Sequence, residues 1–382
     1  MIRSPVEPVV TDYLYRKASA LGIPISGTFE LTPLCNMNCK MCYVRLNKCQ
    51  QESISPLATA EQWLKLGKTA QENGMLYLLL TGGEPFLHPE CRQIVEGLHE
   101  MGLLVSINTN GTLINEETVQ WLRKSPPTRL NVTLYGASDE TYAKLCGDPN
   151  GYTKAVHAIE LLRDAGIPVK INCSVTPDNV HDLPFIVAFC NEHQLVLQAS
   201  PYMFPSMRKD VSNIGRNYRF SPEEAAYYTA WMELLTNGEE RFLSRNIPEA
   251  EPMEACTDIG DGVRCRAGRC SFWVTWDGRL LPCGMFTMPI CPNVFTSDFA
   301  SAWEQTKVQV DKIRLPAKCA SCELRISCRA CAAMVYTESG NFNDVPRYRC
   351  EMSHAFLSQR DKIKAQLLLG ADSTIITEGE KK

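Results

Sequence analysis

The chain has 382 residues, 45% of them hydrophobic, and a net charge of −4. That length allows two or three domains, and the hydrophobic share is that of a soluble globular protein. The weak acidic balance gives no bulk electrostatic reason to bind nucleic acid or an anionic membrane; with no signal peptide and no apolar run near the roughly 20 residues of a membrane span, a cytoplasmic location is expected.

Residues 1–25 read as an N-terminal leader segment, with a helix from Tyr13 to Leu21 that ends near Gly22 and Pro24. Residues 26–200 alternate strand and helix. Strands are expected at 27–32, 75–81, 103–109, 130–135, 168–175 and 195–199. Helices are expected at 59–73, 89–101, 115–124, 152–165 and 180–193. Six strands alternating with helices predict an α/β fold with a parallel sheet and right-handed crossovers, closing as a partial (β/α)6, TIM-like barrel.

The first strand runs into Cys35-Asn36-Met37-Asn38-Cys39-Lys40-Met41-Cys42. Three thiolates on one short loop can hold three irons of a [4Fe–4S] cube and leave the fourth iron without a protein ligand. An electron carrier closes its cluster with a fourth Cys, whereas an open metal position is where chemistry happens. A zinc site or buried free thiols is the plain alternative, although zinc usually takes paired C-x2-C knuckles.

The later strands carry a period-two signal. Ser106 and Asn108 alternate with Val105 and Ile107, Asn131 and Thr133 with Val132 and Leu134, and Asn172, Ser174 and Thr176 with Ile171, Cys173 and Val175. Helices cover the outside of such a sheet, so the polar faces line the lumen and need something to hydrogen-bond. Either ordered water or a polar ligand meets that need. Thr81-Gly82-Gly83-Glu84-Pro85 follows the second strand. Its glycines allow close backbone approach or positive φ, and Glu84 can accept from an ammonium group. Thr109-Asn110-Gly111 ends the third strand, and Ser138 is a good N-cap after the fourth.

Residues 201–255 read as a bridge holding an amphipathic helix from Ser221 to Asn237. The region 256–350 reads as a small, Cys-rich, irregular α+β domain, and 351–382 as a C-terminal helix and tail. Cys256, Cys265, Cys270 and Cys283 are followed by Cys319-x2-Cys322-x5-Cys328-x2-Cys331 and by Cys350, with a hairpin signal at Asp277-Gly278. Two four-thiolate zinc sites would use the same residues. Of the eighteen cysteines, Cys49, Cys91, Cys146, Cys173, Cys190 and Cys291 lie outside these motifs and read as small core residues.

The Cys35–Cys42 loop and Gly82-Gly83-Glu84 resemble the radical S-adenosylmethionine (SAM) superfamily. Its motif is C-x3-C-x-Φ-C; Met41 stands here at the usually aromatic position, a mild departure, since a polarizable thioether can still pack on adenine. The resemblance implies that Cys35, Cys39 and Cys42 bind a [4Fe–4S] cluster whose open iron is chelated by SAM. An electron from the cluster would then split the sulfonium to give a 5′-deoxyadenosyl radical. It also implies SAM contacts at Tyr43, Gly82, Gly83, Glu84, Asn108, Asn110 and Ser174. Residues 256–350 resemble the SPASM extension of radical SAM peptide-modifying enzymes, which holds two auxiliary [4Fe–4S] clusters. Carried over, Cys319, Cys322, Cys328 and Cys350 bind the distal cluster. Cys265, Cys283 and Cys331 bind the proximal one, whose fourth position is taken by Cys256 or Cys270 or is open, with Cys256 preferred. Arg266 departs from the Gly often found there, and Cys328-x2-Cys331 from the usual x3.

The resemblance implies an oxidoreductase that oxidatively modifies a peptide or protein by crosslinking or side-chain oxidation. Its electrons would come from a low-potential donor such as flavodoxin or ferredoxin. Gly284 follows Cys283 where sulfatase-maturating enzymes place Asp, which argues against that subclass. The leader is too short for the leader-binding domain of many peptide maturases, so recognition would fall to a separate protein or to the cleft between barrel and extension. An epimerase, a small-molecule-modifying enzyme, and a non-catalytic iron–sulfur or zinc-binding electron-transfer protein remain the alternatives.

Overall fold

The computed structural model describes residues 9–245, 262–285 and 290–370. Six parallel strands follow one another across the sheet: β1 (Ser26–Glu30), β2 (Tyr77–Thr81), β3 (Leu104–Thr109), β4 (Arg129–Thr133), β5 (Val169–Ser174) and β6 (Val196–Ser200). Each pairs with the next in chain order, with helices at Ala60–Glu72, Cys91–Glu100, Glu116–Lys124, Gly151–Asp164 and Leu183–Glu192 on the crossovers. This is the open (β/α)6 barrel expected from the alternation.

Local chemistry sets the helix starts. Thr59 accepts from the Gln62 amide while the Gln62 side chain caps Thr59 in return, and Ser221 and Glu224 form the same reciprocal box before Pro222–Asn237. Asn115 and Ser138 each accept from the amide three residues on. The alternating strands fall as read: Val105, Ile107, Val132, Ile171 and Cys173 are buried under the helices. Ser106, Asn108, Thr133, Asn172 and Ser174 are half-buried on the other, lumen-facing side.

The sheet does not stop with the barrel. β7 (Ser271–Val274) adds parallel to β1 on its free edge, and β8 (Leu280–Leu281) returns antiparallel to β7 through the Asp277-Gly278 turn. Gly278 sits there at φ +87°, a conformation that favours glycine. The Cys-rich region therefore begins as a continuation of the barrel sheet. A sequence pattern marks strands but not their neighbours, so this union was not visible beforehand. The short helix Lys48–Ile54, started by an Asn47–Gln50 box, was not anticipated either.

The bridging region is tied to the Cys-rich region by a buried ion pair. Arg219 donates from Nη1 to Glu338 Oε1 (2.6 Å) and from Nη2 to Glu338 Oε2 (2.9 Å), and the Tyr202 hydroxyl donates to the same carboxylate (2.8 Å). The guanidinium also stacks 3.5 Å from the Tyr348 ring centroid on the C-terminal helix Arg347–Leu368. The pair's side chains are 6% and 2% exposed, so removing one partner strands a charge out of water. Glu338→Ala is expected to cost about 3–5 kcal/mol in chemical denaturation, and the Arg219→Met/Glu338→Leu pair to recover most of that loss.

Candidate active site

The loop after β1 is held from three sides. Asn38 and Lys40 donate their amides to the carbonyls of Cys146 (2.7 Å) and Leu145 (3.0 Å) at the end of helix Asp139–Cys146. Lys40 Nζ meets Asp178 Oδ2 at 2.6 Å, while Lys144 holds the other oxygen at 2.8 Å. Two ammonium groups on one carboxylate keep Asp178 down at about 2. Asn110 Nδ2 donates to Asn36 Oδ1 (2.9 Å) and points at Cys35 Sγ (3.7 Å).

The third hold is the one between backbones. Gly83 and Glu84 donate their amides to the carbonyls of Thr32 (2.7 Å) and Leu34 (2.8 Å). A Cβ on Gly82 would meet the Thr32 carbonyl oxygen at 2.5 Å, and one on Gly83 the Leu34 oxygen at 2.3 Å. Neither glycine has positive φ among the described residues. The glycines thus serve close approach, as the sequence suggested, but the partner is the cysteine loop's own backbone.

The three thiols are half-buried and near enough to raise one another's pKa. Burial drives Cys35 to about 12, although the Met37 amide donates to its sulfur at 3.4 Å. Burial also raises Cys42, against a donated Arg45 amide at 3.3 Å. Cys39 is lowered instead, chiefly by a hydrogen bond from the Cys146 thiol, with the Tyr135 hydroxyl adding to it. Cys146 was read as plain core; it is a buried residue that also backs the loop. No short-range signal marks it, because it lies over a hundred residues downstream.

Glu84 is fully buried. Oε1 accepts from the Thr109 hydroxyl (2.8 Å) and the Phe86 amide (3.2 Å), and Oε2 from the Asn110 amide (2.8 Å). Burial raises its pKa from 4.5 to about 7 despite those donors. Below the loop, Asn131 Nδ2 donates to Asn108 Oδ1 (2.7 Å), while Asn131 Oδ1 and Asn172 Oδ1 are buried with no hydrogen-bond partner. Lys170, buried on the same face, donates to Gln198 and has its pKa lowered by burial. The Ser174 carbonyl accepts from Asn179 (2.9 Å). Met41 is 5% exposed within the apolar core, so its side chain packs against protein.

In the Cys-rich region the thiols fall into two sets. Burial raises Cys319 and Cys350, with Cys322 and Cys328 adding to both, and burial raises Cys283 and Cys331, with Cys265 adding to both. Cys265, Cys319, Cys322, Cys328, Cys331 and Cys350 line a cavity of about 440 Å3, and Cys283 lines a neighbouring one together with Cys265. Cys256 lies outside the described residues. Cys270 is fully buried against Ala18 and Ile25 and hydrogen-bonds with Ser19, so it is packed into an apolar cluster. Among the described residues, no three His, Cys, Asp or Glu side chains close to the spacing of a single-ion site.

A polar bridge joins the loop to the proximal set. Arg208 donates to both oxygens of Glu30 (2.9 Å each) and to the Gly284 carbonyl (2.9 Å), and Trp273 Nε1 donates to Glu30 Oε2 (3.0 Å). Tyr43 lies between, under Arg208, and feels both Cys42 and Cys283. Glu30 and Arg208 are separated by 178 residues, beyond the reach of motif reading.

Residues 29–190 match the radical SAM superfamily. That stretch is a radical SAM domain, and the C-terminal region that follows it is rich in cysteine. The AdoMet-dependent heme synthase of Methanosarcina barkeri is 26% identical to it over 338 residues, covering 84% of this chain and 94% of that protein. AlbA, the antilisterial bacteriocin subtilosin biosynthesis protein of Bacillus subtilis, is 25% identical over 291 residues, covering 75% of this chain and 61% of its own length. Among solved structures, Streptococcus suis SuiB bound to the precursor peptide SuiA aligns with a TM-score of 0.65 at 19% identity, covering 90% of this chain and 82% of that one. The last likeness speaks for the fold.

Two expectations follow. Gly83→Ala drives a methyl into backbone and should cost about 3 kcal/mol, read as a lower melting temperature together with less iron bound after reconstitution. Glu84 binds its proton more tightly folded than unfolded, so its ionisation subtracts up to about 3 kcal/mol as pH rises from 4.5 through about 7. Denaturation of the metal-free protein across that window should show a shallower decline for Glu84→Gln.

Proposed function

We propose that Cys35, Cys39 and Cys42 hold a [4Fe–4S] cluster with one open corner. SAM would fill that corner and lie over the lumen, near Glu84, Asn110, Asn108 and Ser174, with Tyr43 flanking. The observation that carries this reading is the pair of buried, partnerless amide oxygens, Asn131 Oδ1 and Asn172 Oδ1, facing the lumen below the three thiols. Buried acceptors without donors are costly, and a polar ligand with N–H and O–H groups satisfies them. When bound, the cluster and SAM supply a 5′-deoxyadenosyl radical. The chain's residues then have three tasks: to fix the loop, to orient SAM, and to keep water from the lumen.

We infer further that Cys319, Cys322, Cys328 and Cys350 hold a distal auxiliary cluster, and Cys265, Cys283 and Cys331 a proximal one. The charges felt by Cys319 and Cys350 include others of the first set, and those felt by Cys283 and Cys331 include others of the second, which supports that division. The burial of Cys270 favours Cys256, or no protein ligand, at the fourth proximal position. The chain is an oxidoreductase that modifies a peptide or protein, drawing electrons from a donor such as ferredoxin or flavodoxin. Precursor-peptide binding by SuiB and bacteriocin biosynthesis by AlbA support this substrate class. Sulfatase-type maturation fits less well. A Cβ on Gly284 would lie 2.7 Å from the Trp273 ring, so the aspartate of that subclass has no room. A second reading, oxidation of a carboxylated tetrapyrrole, is favoured by one observation: the heme synthase match spans nearly the whole of that relative.

Anaerobic reconstitution tests the reading. About twelve irons and twelve sulfides per chain are expected, with 5′-deoxyadenosine released from SAM and dithionite. Cys35→Ala should lower the iron count by about four and abolish release; full cluster loading without SAM cleavage would identify an electron carrier instead.

A further inference from the structure

The six parallel strands begin at the end of the barrel away from the cysteine loop, and there the lumen face turns basic. Lys170, the second residue of β5, is 7% exposed and shares its face with Asn172 and Ser174. Its register partner on β4 is Asn131, so Arg129, two residues earlier on the same face of that strand, is its diagonal neighbour. Among the described residues neither cation forms an ion pair. The exposed Arg129 side chain makes no hydrogen bond, and Lys170 makes one, from Nζ to the Gln198 side-chain carbonyl on β6. A neutral carbonyl occupies one of the three ammonium protons and leaves the charge uncompensated. Burial lowers the Lys170 pKa and the Arg129 charge lowers it further, with no carboxylate acting the other way. A buried cation beside a second cation is costly until an anion joins them. Gln198 is exposed and β6 is the edge strand, so the pair is reached from the open side of the barrel.

We propose that the foot of the lumen binds a carboxylate of the substrate, on Lys170 with Arg129 beside it, while the carbon to be oxidised lies at the cysteine end. Gln198 then turns its amide N–H to the same anion. The proposal rests on the enzymatic reading above and adds a feature of the substrate. From Lys170 to Ser174 the strand advances four residues, about 13 Å, so the acidic group stands about that far from the reacting carbon. In an extended peptide this is about four residues. Two sources share the chemistry: an aspartate or glutamate of a peptide, and an acidic side chain of a small molecule such as a porphyrin.

The test is a chemical footprint on the reconstituted holoprotein. Acetic anhydride acylates uncharged amines, and mass spectrometry of the digest compares Lys170 with the exposed Lys124. Glutarate should slow acylation of Lys170 severalfold and leave Lys124 unchanged, while glutaramide should do neither. Arg129→Gln should weaken that protection severalfold. Lys170→Met, which removes the buried charge, should melt higher than the unaltered protein in the absence of glutarate and gain nothing from adding it. If that variant does not fold, Arg129→Gln at its exposed position carries the test alone. Protection by a glutamate-containing peptide but not by its glutamine counterpart assigns a peptide source. Protection by a porphyrin dicarboxylate but not by its dimethyl ester assigns a small-molecule source. Equal effects of glutarate and glutaramide, undiminished protection in folded Arg129→Gln, or protection by glutarate with neither larger acid protecting overturns the proposal. The footprint does not depend on SAM cleavage, which is measured separately, so failure of the enzymatic reading is distinguishable from failure of this one.

Discussion

The contact on which the site depends is between two stretches of backbone. Gly82 and Gly83 lie against Thr32 and Leu34, with the Gly83 and Glu84 amides bonded to their carbonyls. This fixes the start of the cysteine loop relative to β2. The same turn delivers Glu84 to the end of β3, where Thr109 and Asn110 take its carboxylate. Asn110 in turn reaches back to Asn36, inside the loop. Three strand ends are thereby locked into one ring of hydrogen bonds. A side chain at either glycine would break it at the point where it has least freedom to move, since the opposing atoms are carbonyl oxygens.

The union of barrel and extension has a different physics. β7 supplies ladder hydrogen bonds along β1, which any strand pair would supply. Specific alignment comes from the charges: Glu30 at the end of β1 is 1% exposed and Arg208 8%. A buried pair of this kind adds little net stability over an apolar replacement, yet mispairing it is expensive. Its effect is to penalise any arrangement in which Gly284, Trp273 and the cysteine loop are out of register. The Arg219–Glu338 pair does the same for the bridging region. Tyr43, next to Cys42 and influenced by Cys283, lies where the two thiol sets come closest through such a network.

What was legible in the sequence is what short-range periodicity and spacing encode. Six strands, their polar lumen faces and the capped helices follow from patterns of two and of 3.6 residues. The C-x3-C-x2-C loop is likewise carried by spacing, whereas the division of the later cysteines into two sets is what the family resemblance implies. The role of the glycines was half legible: close approach was expected, but nothing local says that Leu34 is what they approach. Glu30, Arg208, Trp273, Asp178 and Cys146 were not legible as site residues. Each acts through a partner far along the chain, such as Arg208 across 178 residues or Asp178 across 138 from Lys40. A pairing set by tertiary packing leaves no trace in a window of a dozen residues.

Several departures from ordinary packing gather in one place. Unpartnered Asn131 and Asn172 oxygens, a carboxyl held near neutrality at Glu84 and thiols raised by burial at Cys35 and Cys42 all lie at the mouth of one barrel. Trp63 Nε1, Arg360 Nε and Gln366 Oε1 are also buried without a hydrogen bond, outside that mouth. The unmet polar demand at the mouth stabilises the fold when a ligand meets it, because binding to the folded state alone adds its free energy to stability. The empty-handed barrel is thus the less stable form, and cluster and nucleotide, on this argument, are as much parts of the folded structure as reagents within it.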